Sequence, residues 1–503
     1  MPSVPSPHVA ALLSFLFPGA GQIYARQVGR GVLWAIPMLF FVIGVIWMLA
    51  GGADLIDLIG NPQTAAALLI LNLAFFFYHL AAMFDAYGVA QRERRLEGFS
   101  TPASAAAVLA VLVVVTLVVH GVPEVLGVAG NDALSRLFPS GRASAAIPQF
   151  SPGVVSTAPP DTGAVPTPGG TGNPASPTAV PSGPGGSPST PRASFPPFDP
   201  NWGPAADGRL NVLLIGADSG PGRSSVRTDT MILVSVEVNT GKAALFGFPR
   251  NMIPVPLPPE SAGAYPGGSF PEFLSSLWRR AAENPSKFPG SEGIDGQTCS
   301  RQFDCIRAWR ALSGSIQEMA GVQIDGIVGV DLGGFVKLVD AVGGIWIDVP
   351  RRLVDERYHW SDGTLAQIDI KPGCQKLDGE YALAYARSRH QDSDYQRMRR
   401  QQFVLSAVRR QFDPIAMLPR VFDLLDIAQD NMFMTFDRQE IGHLANVAAR
   451  VDADRFYQVR FTPNQVERLG GVDQIRVRVK NIFSEPEPEP TPKPSGRPAS
   501  CPP

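Results

Sequence analysis

Two stretches near the start of the chain carry no charge and almost no polar side chain: residues 31–50 (GVLWAIPMLFFVIGVIWMLA) and 65–84 (AAALLILNLAFFFYHLAAMF). A third, 104–120 (SAAAVLAVLVVVTLVVH), is shorter and of the same kind. At ~1.5 Å per residue, about 20 apolar residues cross a ~30 Å hydrocarbon core. The pattern predicts an all-α transmembrane region. Residues 9–24 (VAALLSFLFPGAGQIY) are a fourth, weaker span, broken by Pro18-Gly19. No basic segment precedes that run, which argues against a cleavable signal peptide.

Apolar density then falls away. From about 139 to 208 no period is visible, and 35 of the 50 residues from 151 to 200 are Pro, Gly, Ser or Thr. Such a stretch cannot bury a core and should stay extended. Beyond it, short apolar runs alternate with helical patterns. NVLLIG (211–216), MILVSVEV (231–238) and AALFGF (243–248) read as buried strands, as do IDGIVGV (324–330) and IWIDVP (345–350). Helices are expected over 305–321, 332–344, 378–388, 395–412 and 438–451. This alternation argues an α/β layered domain with a mixed sheet. The expected layout is a transmembrane region of three or four spans (1–124), a disordered linker (125–208), a globular domain (209–483) and a disordered Pro/Glu tail (484–503).

Charge adds an orientation. Arg26 and Arg30 lie between the 9–24 and 31–50 segments, and Arg92, Arg94 and Arg95 between 65–84 and 104–120, whereas the 51–64 loop holds Asp54 and Asp57 and no Lys or Arg. The positive-inside rule puts both Arg loops in the cytoplasm and everything after about residue 122 outside. The net charge of −2 over 503 residues rules out a polycation built for nucleic acid, and only 17% charged residues is low for a soluble enzyme. Four cysteines are too few for a disulfide scaffold, and their spacing fits no zinc ribbon or finger. Cys299 and Cys305 could close a loop disulfide outside the cell; free thiols, or pairing with Cys374, are the competing readings.

Polar groups gather at the ends of the predicted elements: Asp218 after the first strand, Arg227 and Asp229 before the second, and Arg250 closing the third. Arg387 and Arg389 end one helix, and Asp392 and Asp394 precede another that carries Arg397, Arg400 and Gln401 on one face. Arginine suits bidentate phosphate contacts, and two carboxylates with a phosphate make an oxygen site suited to Mg²⁺. A helix start near 394 adds backbone N–H donors. GxGxxG, GxxxxGK[ST] and GxSxG are all missing, so no dinucleotide site, P-loop or nucleophile elbow is indicated.

Three blocks carry a family resemblance. NVLLIGADSGPGRSSVRTDTMILVSVEVNTGKAALFGFPRN, IDGIVGVDLGGFVKLVDAVGGIWIDVP and LDGEYALAYARSRHQDSDYQRMRRQQFVLSAV are similar, in order, to the signature blocks of the LytR-CpsA-Psr family. At the front, LLSFLFPGAGQIYARQVGRG resembles the PG-x-GQ-x-Y segment of small two-span membrane hairpin domains. The family resemblance implies a three-layer α/β/α domain enclosing an apolar tunnel for a polyprenyl chain. It also implies a Mg²⁺-dependent transferase that moves a glycan phosphate from a polyprenyl-pyrophosphate carrier onto peptidoglycan at the outer face of the membrane. Asp218 and Asp229 match the acidic positions that serve the metal, and either is a candidate to deprotonate the acceptor. Arg227, Arg250, Arg387, Arg389, Arg397 and Gln401 match the pyrophosphate-binding positions; Asp218, Asp229, Arg250 and Arg389 are the catalytic candidates.

The chain departs from the family pattern twice. The usual PRD reads PRN, with Asn251 in place of the acid, and 254–300 is a Pro- and Gly-rich insertion that leaves Arg301 and Arg307 as the only candidates for a further basic position. His390 is read as a neighbour of the arginines rather than a base, and Met398 and Phe403 as core. Two other functions fit the same residues: hydrolysis of the carrier with water as acceptor, and a non-catalytic envelope binding or regulatory protein.

Overall fold

The computed structural model describes residues 4–50, 60–100, 103–138, 145–150, 202, 207–219, 226–288, 305–389, 393–411, 417, 420–452, 455–462, 471–486 and 488. Cys299, Arg301, His390, Asp392, the Asp54/Asp57 loop, the Pro-rich 151–200 stretch and most of the tail lie outside the described residues.

The membrane region is helical: α1 (Pro7–Leu16), α2 (Ala20–Tyr24), α3 (Val28–Ala50), α4 (Pro62–Leu96) and α5 (Ala103–Leu137). Among the described residues three helices, within α3, α4 and α5, are long and apolar enough to cross a bilayer. The weaker fourth span does not form one. The 10 residues of α1 reach only ~15 Å, half a hydrocarbon core. The chain instead folds back at Pro18-Gly19. Gly19 has φ of 101°, and a Cβ there would meet Gly31 O at 2.3 Å; one on Gly21 would meet Ala10 O at 1.9 Å. These glycines let α1, α2 and α3 touch. Gln22 ties the turn to α4 by donating to Ala82 O at 3.0 Å and to Asp85 at 3.1 Å, while Ser14 donates to Gln22 at 2.9 Å. Arg30 and Trp34 of α3 also donate to Asp85. The PG-x-GQ-x-Y residues thus build a polar knot between short helices.

The helix α5 runs well past its apolar segment and docks on the globular domain. Arg438 donates to Asn131 Oδ1 at 2.6 Å and to Ser135 Oγ at 3.2 Å, and Ala133 and Leu137 are buried. The linker expected from 125 is therefore helix as far as Leu137. Residues 145–150 also pack onto the domain, with Ser313 donating to Ala146 O at 2.8 Å and Gln317 to Pro148 O at 2.9 Å. Tertiary contacts, invisible in local composition, order these pieces.

The domain centres on a six-stranded sheet of order β11-β6-β1-β2-β3-β12 among the described residues. Its strands are β1 (Arg209–Asp218), β2 (Arg227–Glu237), β3 (Ala243–Gly247), β6 (Gly326–Asp331), β11 (Met432–Met434) and β12 (Tyr457–Arg460). β1 runs antiparallel to β2 and parallel to β6, and β12 runs parallel to β3, so the sheet is mixed as expected. Alternation along β1 sends Leu213, Ile215 and Ala217 into the main core against α6 (Leu274–Glu283), α7 (Ile306–Ala320) and α13 (Val472–Asn481). Trp309 of α7 is fully buried and stacks on Phe433 of β11 at 4.6 Å; truncating such a side chain costs ~3–5 kcal/mol.

The second face meets α8 (Leu332–Ala341), α10 (Asp394–Gln411), α11 (Val421–Asn431) and α12 (Ile441–Arg450), completing three layers. A smaller core joins α8, α10 and α9 (Gly379–Arg387) to β7 (Ile345–Val349), β8 (Leu353–His359), β9 (Leu365–Ile370) and β10 (Gly373–Leu377). Two short strands, β4 (Val255–Pro256) and β5 (Ser269–Phe270), pair inside the insertion. Cys305 and Cys374 are each disulfide-bonded, so neither is the free thiol of the competing reading.

Candidate active site

The site forms where β1, β2 and β3 end. Thr230 lies opposite Gly216 and Thr228 opposite Ala217, which leaves Asp229 as the additional residue of a bulge in β2. A bulge re-aims its side chain, and here it sends Asp229 to the strand-end cluster. Asp218, last in β1, sits opposite Arg227, first in β2.

Arg250 follows β3 and bridges two carboxylates, Asp229 at 2.9 Å and Asp394 at 3.3 Å. Arg397, one turn along α10, also pairs with Asp394 at 3.1 Å and donates to Asp229 O at 3.3 Å. From the end of α9, Arg387 pairs with Asp218 at 3.2 Å and donates to Tyr358 Oη at 3.4 Å and His359 O at 3.3 Å. The helix α10 is held in place over the sheet by Gln402, which donates to Leu245 O and Val459 O, both at 3.2 Å. Met398 is core as expected, but Phe403 is only half-buried, with Arg399 over its ring at 5.2 Å.

Arg400 shares a helix face with Arg397 and is turned to the end of α9. It donates to Tyr385 O at 2.6 Å and to Ser388 O, fixing the end of α9 that presents Arg387. Ser388 donates in turn to buried Asp355 at 2.7 Å. Gln401 is buried beside this face. Arg227 and Arg389 are exposed and join none of these ion pairs among the described residues. The structure therefore pairs Arg387 with Asp218 and gathers Arg250, Arg397, Asp229 and Asp394 in a second group, near enough that Arg387 feels Asp229, with Arg227 opposite Asp218 in register. Three partners escaped sequence reading in these roles: Asp355 and Tyr358, which carried no signal, and Asp394, which was visible as a charge before a helix but not as a bridge.

Electrostatics favour an anion. Burial pulls the Arg250 guanidinium down, but Asp229 and Asp394 outweigh it and leave the pKa raised. Arg387 behaves likewise, burial being outweighed by Tyr358, Asp218 and Asp229. Arg397 is 3% exposed, and there burial, helped by Arg250 and Arg400, prevails over the two carboxylates and lowers its pKa. Its Nε is buried with no hydrogen-bond partner among the described residues. The three ion-paired arginines balance Asp218, Asp229 and Asp394, so the groups that favour a phosphate oxygen are the exposed Arg227 and Arg389 and the unused N–H of buried Arg397.

Metal binding fits these residues in a limited way. Asp218 and Asp229 offer oxygen only and lie close enough that Arg387 feels both. That donor set suits a hard cation that keeps waters and shares substrate phosphate, rather than a closed protein cage. Among the described residues no group of three or more His, Cys, Asp or Glu forms such a cage. Asn251, where the acid is missing, is half-buried with its Oδ1 lacking a hydrogen-bond partner among the described residues.

The sequence model of the LytR_cpsA_psr family matches residues 188–257 and 310–483. The chain belongs to the LytR-CpsA-Psr family. The unmatched gap, 258–309, coincides with most of the insertion. Among curated relatives, the "Polyisoprenyl-teichoic acid--peptidoglycan teichoic acid transferase TagU" of Oceanobacillus iheyensis is 26% identical over 238 residues, covering 46% of this chain and 60% of that protein. "Biofilm regulatory protein A" of Streptococcus mutans is 28% identical over 236 residues, 44% of this chain and 49% of the relative. "Probable cell wall biosynthesis protein LcpB" of Corynebacterium glutamicum is 31% identical over 193 residues, 36% of each chain. The match thus spans less than two thirds of each of these relatives.

Proposed function

We propose that the protein is a membrane-anchored cell-wall glycopolymer transferase. It would move a glycan phosphate from a polyprenyl-pyrophosphate carrier onto a hydroxyl of peptidoglycan. The observation that carries this reading is the meeting of two ion-pair groups, Arg387–Asp218 and Arg250–Asp229–Asp394–Arg397, at one end of the sheet. Val212, Leu214, Val234, Val328 and Val330 sit in central strands yet keep partial exposure, which suits an apolar chain. The relative TagU is named as a transferase of teichoic acid from a polyisoprenyl carrier to peptidoglycan, which supports this class of reaction.

In the proposed reaction the acceptor oxygen attacks the phosphorus that bears the glycan. A new P–O bond forms to the acceptor, and the P–O bond to the bridging oxygen breaks. Polyprenyl monophosphate leaves, and the hydroxyl proton passes to a carboxylate of the Asp218–Asp229 pair. Arg250, Arg387 and Arg397 hold the pyrophosphate oxygens and stabilise the charge that builds on them. Arg227, Arg389 and Gln401 complete the pocket rim. Asp218 and Asp229 would hold Mg²⁺, which would supply charge neutralisation on the phosphates. The charge of the Arg26/Arg30 and Arg92/Arg94/Arg95 loops supports a globular domain outside the cytoplasm, on the side of the acceptor.

Depletion in cells tests the reading. Muramidase-released wall fragments should lose a phosphodiester-linked glycan by mass spectrometry when the protein is depleted. Fragments unchanged in glycan content would overturn it. Accumulation of free glycan phosphate by the wild type, with none on the wall, would favour the hydrolase instead.

A further inference from the structure

A row of aromatic rings leads away from the phosphate-facing arginine. Arg387 donates to the Tyr358 hydroxyl at 3.4 Å and lies 5.6 Å from the centroid of its ring. Trp360 follows with its centroid 5.5 Å from Tyr358, and Tyr381 of α9 lies a further 5.5 Å from Trp360. Both contacts are steep, at 77° and 66°, so no ring face is lost to parallel stacking. Exposure rises along the row. Tyr358 is 4% exposed, Trp360 is half-buried, and Tyr381 is 40% exposed. The Trp360 indole N–H has no partner among the described residues and is not buried, so it remains a donor for a ligand.

The row is also held rigidly. Trp360 closes the β8–β9 hairpin, its N–H donating to Thr364 O at 2.9 Å. Ser361 in the turn donates twice to Glu380, which precedes Tyr381 on α9. Asp378 caps α9 by accepting from Tyr381 N at 2.9 Å. Two independent elements thus present one graded ridge whose inner end touches the cluster's Arg387.

We propose that Tyr358, Trp360 and Tyr381 form the glycan subsite, which takes the first sugar rings attached to the transferred phosphate. This proposal rests on the transferase reading. The chemistry favours a sugar. The C–H faces of a pyranose carry slightly positive hydrogens that complement the negative face of an aromatic ring. Its hydroxyls suit the indole N–H of Trp360 and the carboxylates of Asp362 and Glu380 beside the turn. Those carboxylates are ill-suited to hydrocarbon or to anionic lipid headgroups, which sets the ridge apart from a membrane-interface belt.

The test uses the full chain in nanodiscs and two probes: polyprenyl pyrophosphate carrying a disaccharide, and the same carrier with no sugar. Trp360→Ala should weaken binding of the glycan-bearing carrier roughly tenfold, the scale of one aromatic contact, and leave the bare carrier unchanged. Trp360→Phe should restore most of the loss. Tyr381→Ala, at an exposed position, should act in the same direction and serves if Trp360→Ala fails to fold. Equal effects on both carriers, or no effect on either, would overturn the subsite. So would quenching of Trp360 fluorescence by brominated lipid without glycan, which would mark a membrane contact. Wild-type protein that binds neither carrier refutes the transferase reading itself, and the subsite with it.

Discussion

Replacing Arg250 with alanine removes a side chain that joins the carboxylates of Asp229 and Asp394. Its guanidinium holds Asp229 at 2.9 Å and Asp394 at 3.3 Å, and all three side chains are 19–20% exposed. Water therefore still reaches them, and each pair contributes at most ~1 kcal/mol to folding. For a domain of this size that is a fall in melting temperature of roughly 5 °C or less. Catalysis should suffer far more. A preorganised charge contact made in the transition state is worth ~3–4 kcal/mol, so kcat should fall about 10²–10³-fold. Arg250→Lys should recover about tenfold at most, because an ammonium cannot hold Asp229, Asp394 and a phosphate in one plane. The assay is single-turnover transfer from a polyprenyl-pyrophosphate glycan to peptidoglycan by the full chain, with thermal unfolding run in parallel. A loss in kcat below about tenfold, or a lysine variant equal to wild type, would refute the role given to this arginine.

Further outcomes follow from other parts of the fold. Asp325 is half-buried and accepts from Asn211 N at 2.7 Å; its loss of water, with Asp207 and Glu440 nearby, pushes its carboxyl up to about 8. The folded state thus keeps a proton that the unfolded chain releases near pH ~4, so stability should decline from there toward pH 8, by up to about 1.4 kcal/mol per unit. Asp325→Asn should flatten that decline in thermal unfolding, and an unchanged slope would contradict it. Gly21→Ala puts a methyl 1.9 Å from Ala10 O and should lower detergent stability of the membrane region, whereas Gly29→Ala, with nothing within 4 Å, should not. A reporter fused after residue 208 should be active only outside the cytoplasm; cytoplasmic activity would remove the domain from its acceptor.

Much of this arrangement was legible where periodicity is strong. The short apolar runs of β1 and β2, the apolar lengths of α3 and α4, and the spacing of Arg397, Arg400 and Gln401 all carried through to the structure. What local pattern could not carry was geometry between distant residues. The bulge at Asp229 depends on strand register, and the Asp394 bridge depends on α10 crossing the end of β3. The spacing put Arg400 on one face with Arg397, but not its bonds to the backbone carbonyls of Tyr385 and Ser388 at the end of α9. The strands β8, β9 and β10 alternate exposed and buried residues irregularly, so Tyr358 and Trp360 stayed out of view. The outer turns of α5 are ordered by Arg438, far along the chain.

The central claim is tested most directly by reconstituting the full chain in nanodiscs. The ingredients are a polyprenyl-pyrophosphate glycan, peptidoglycan and Mg²⁺, and muramidase fragments are read by mass spectrometry. The account predicts a glycan joined to the wall fragment through a single phosphate, with polyprenyl monophosphate released in equal amount. That product should disappear in Asp229→Asn and Arg387→Ala proteins that remain folded. Release of polyprenyl monophosphate with no glycan on the wall fragment, or wall product undiminished in both variants, would contradict it.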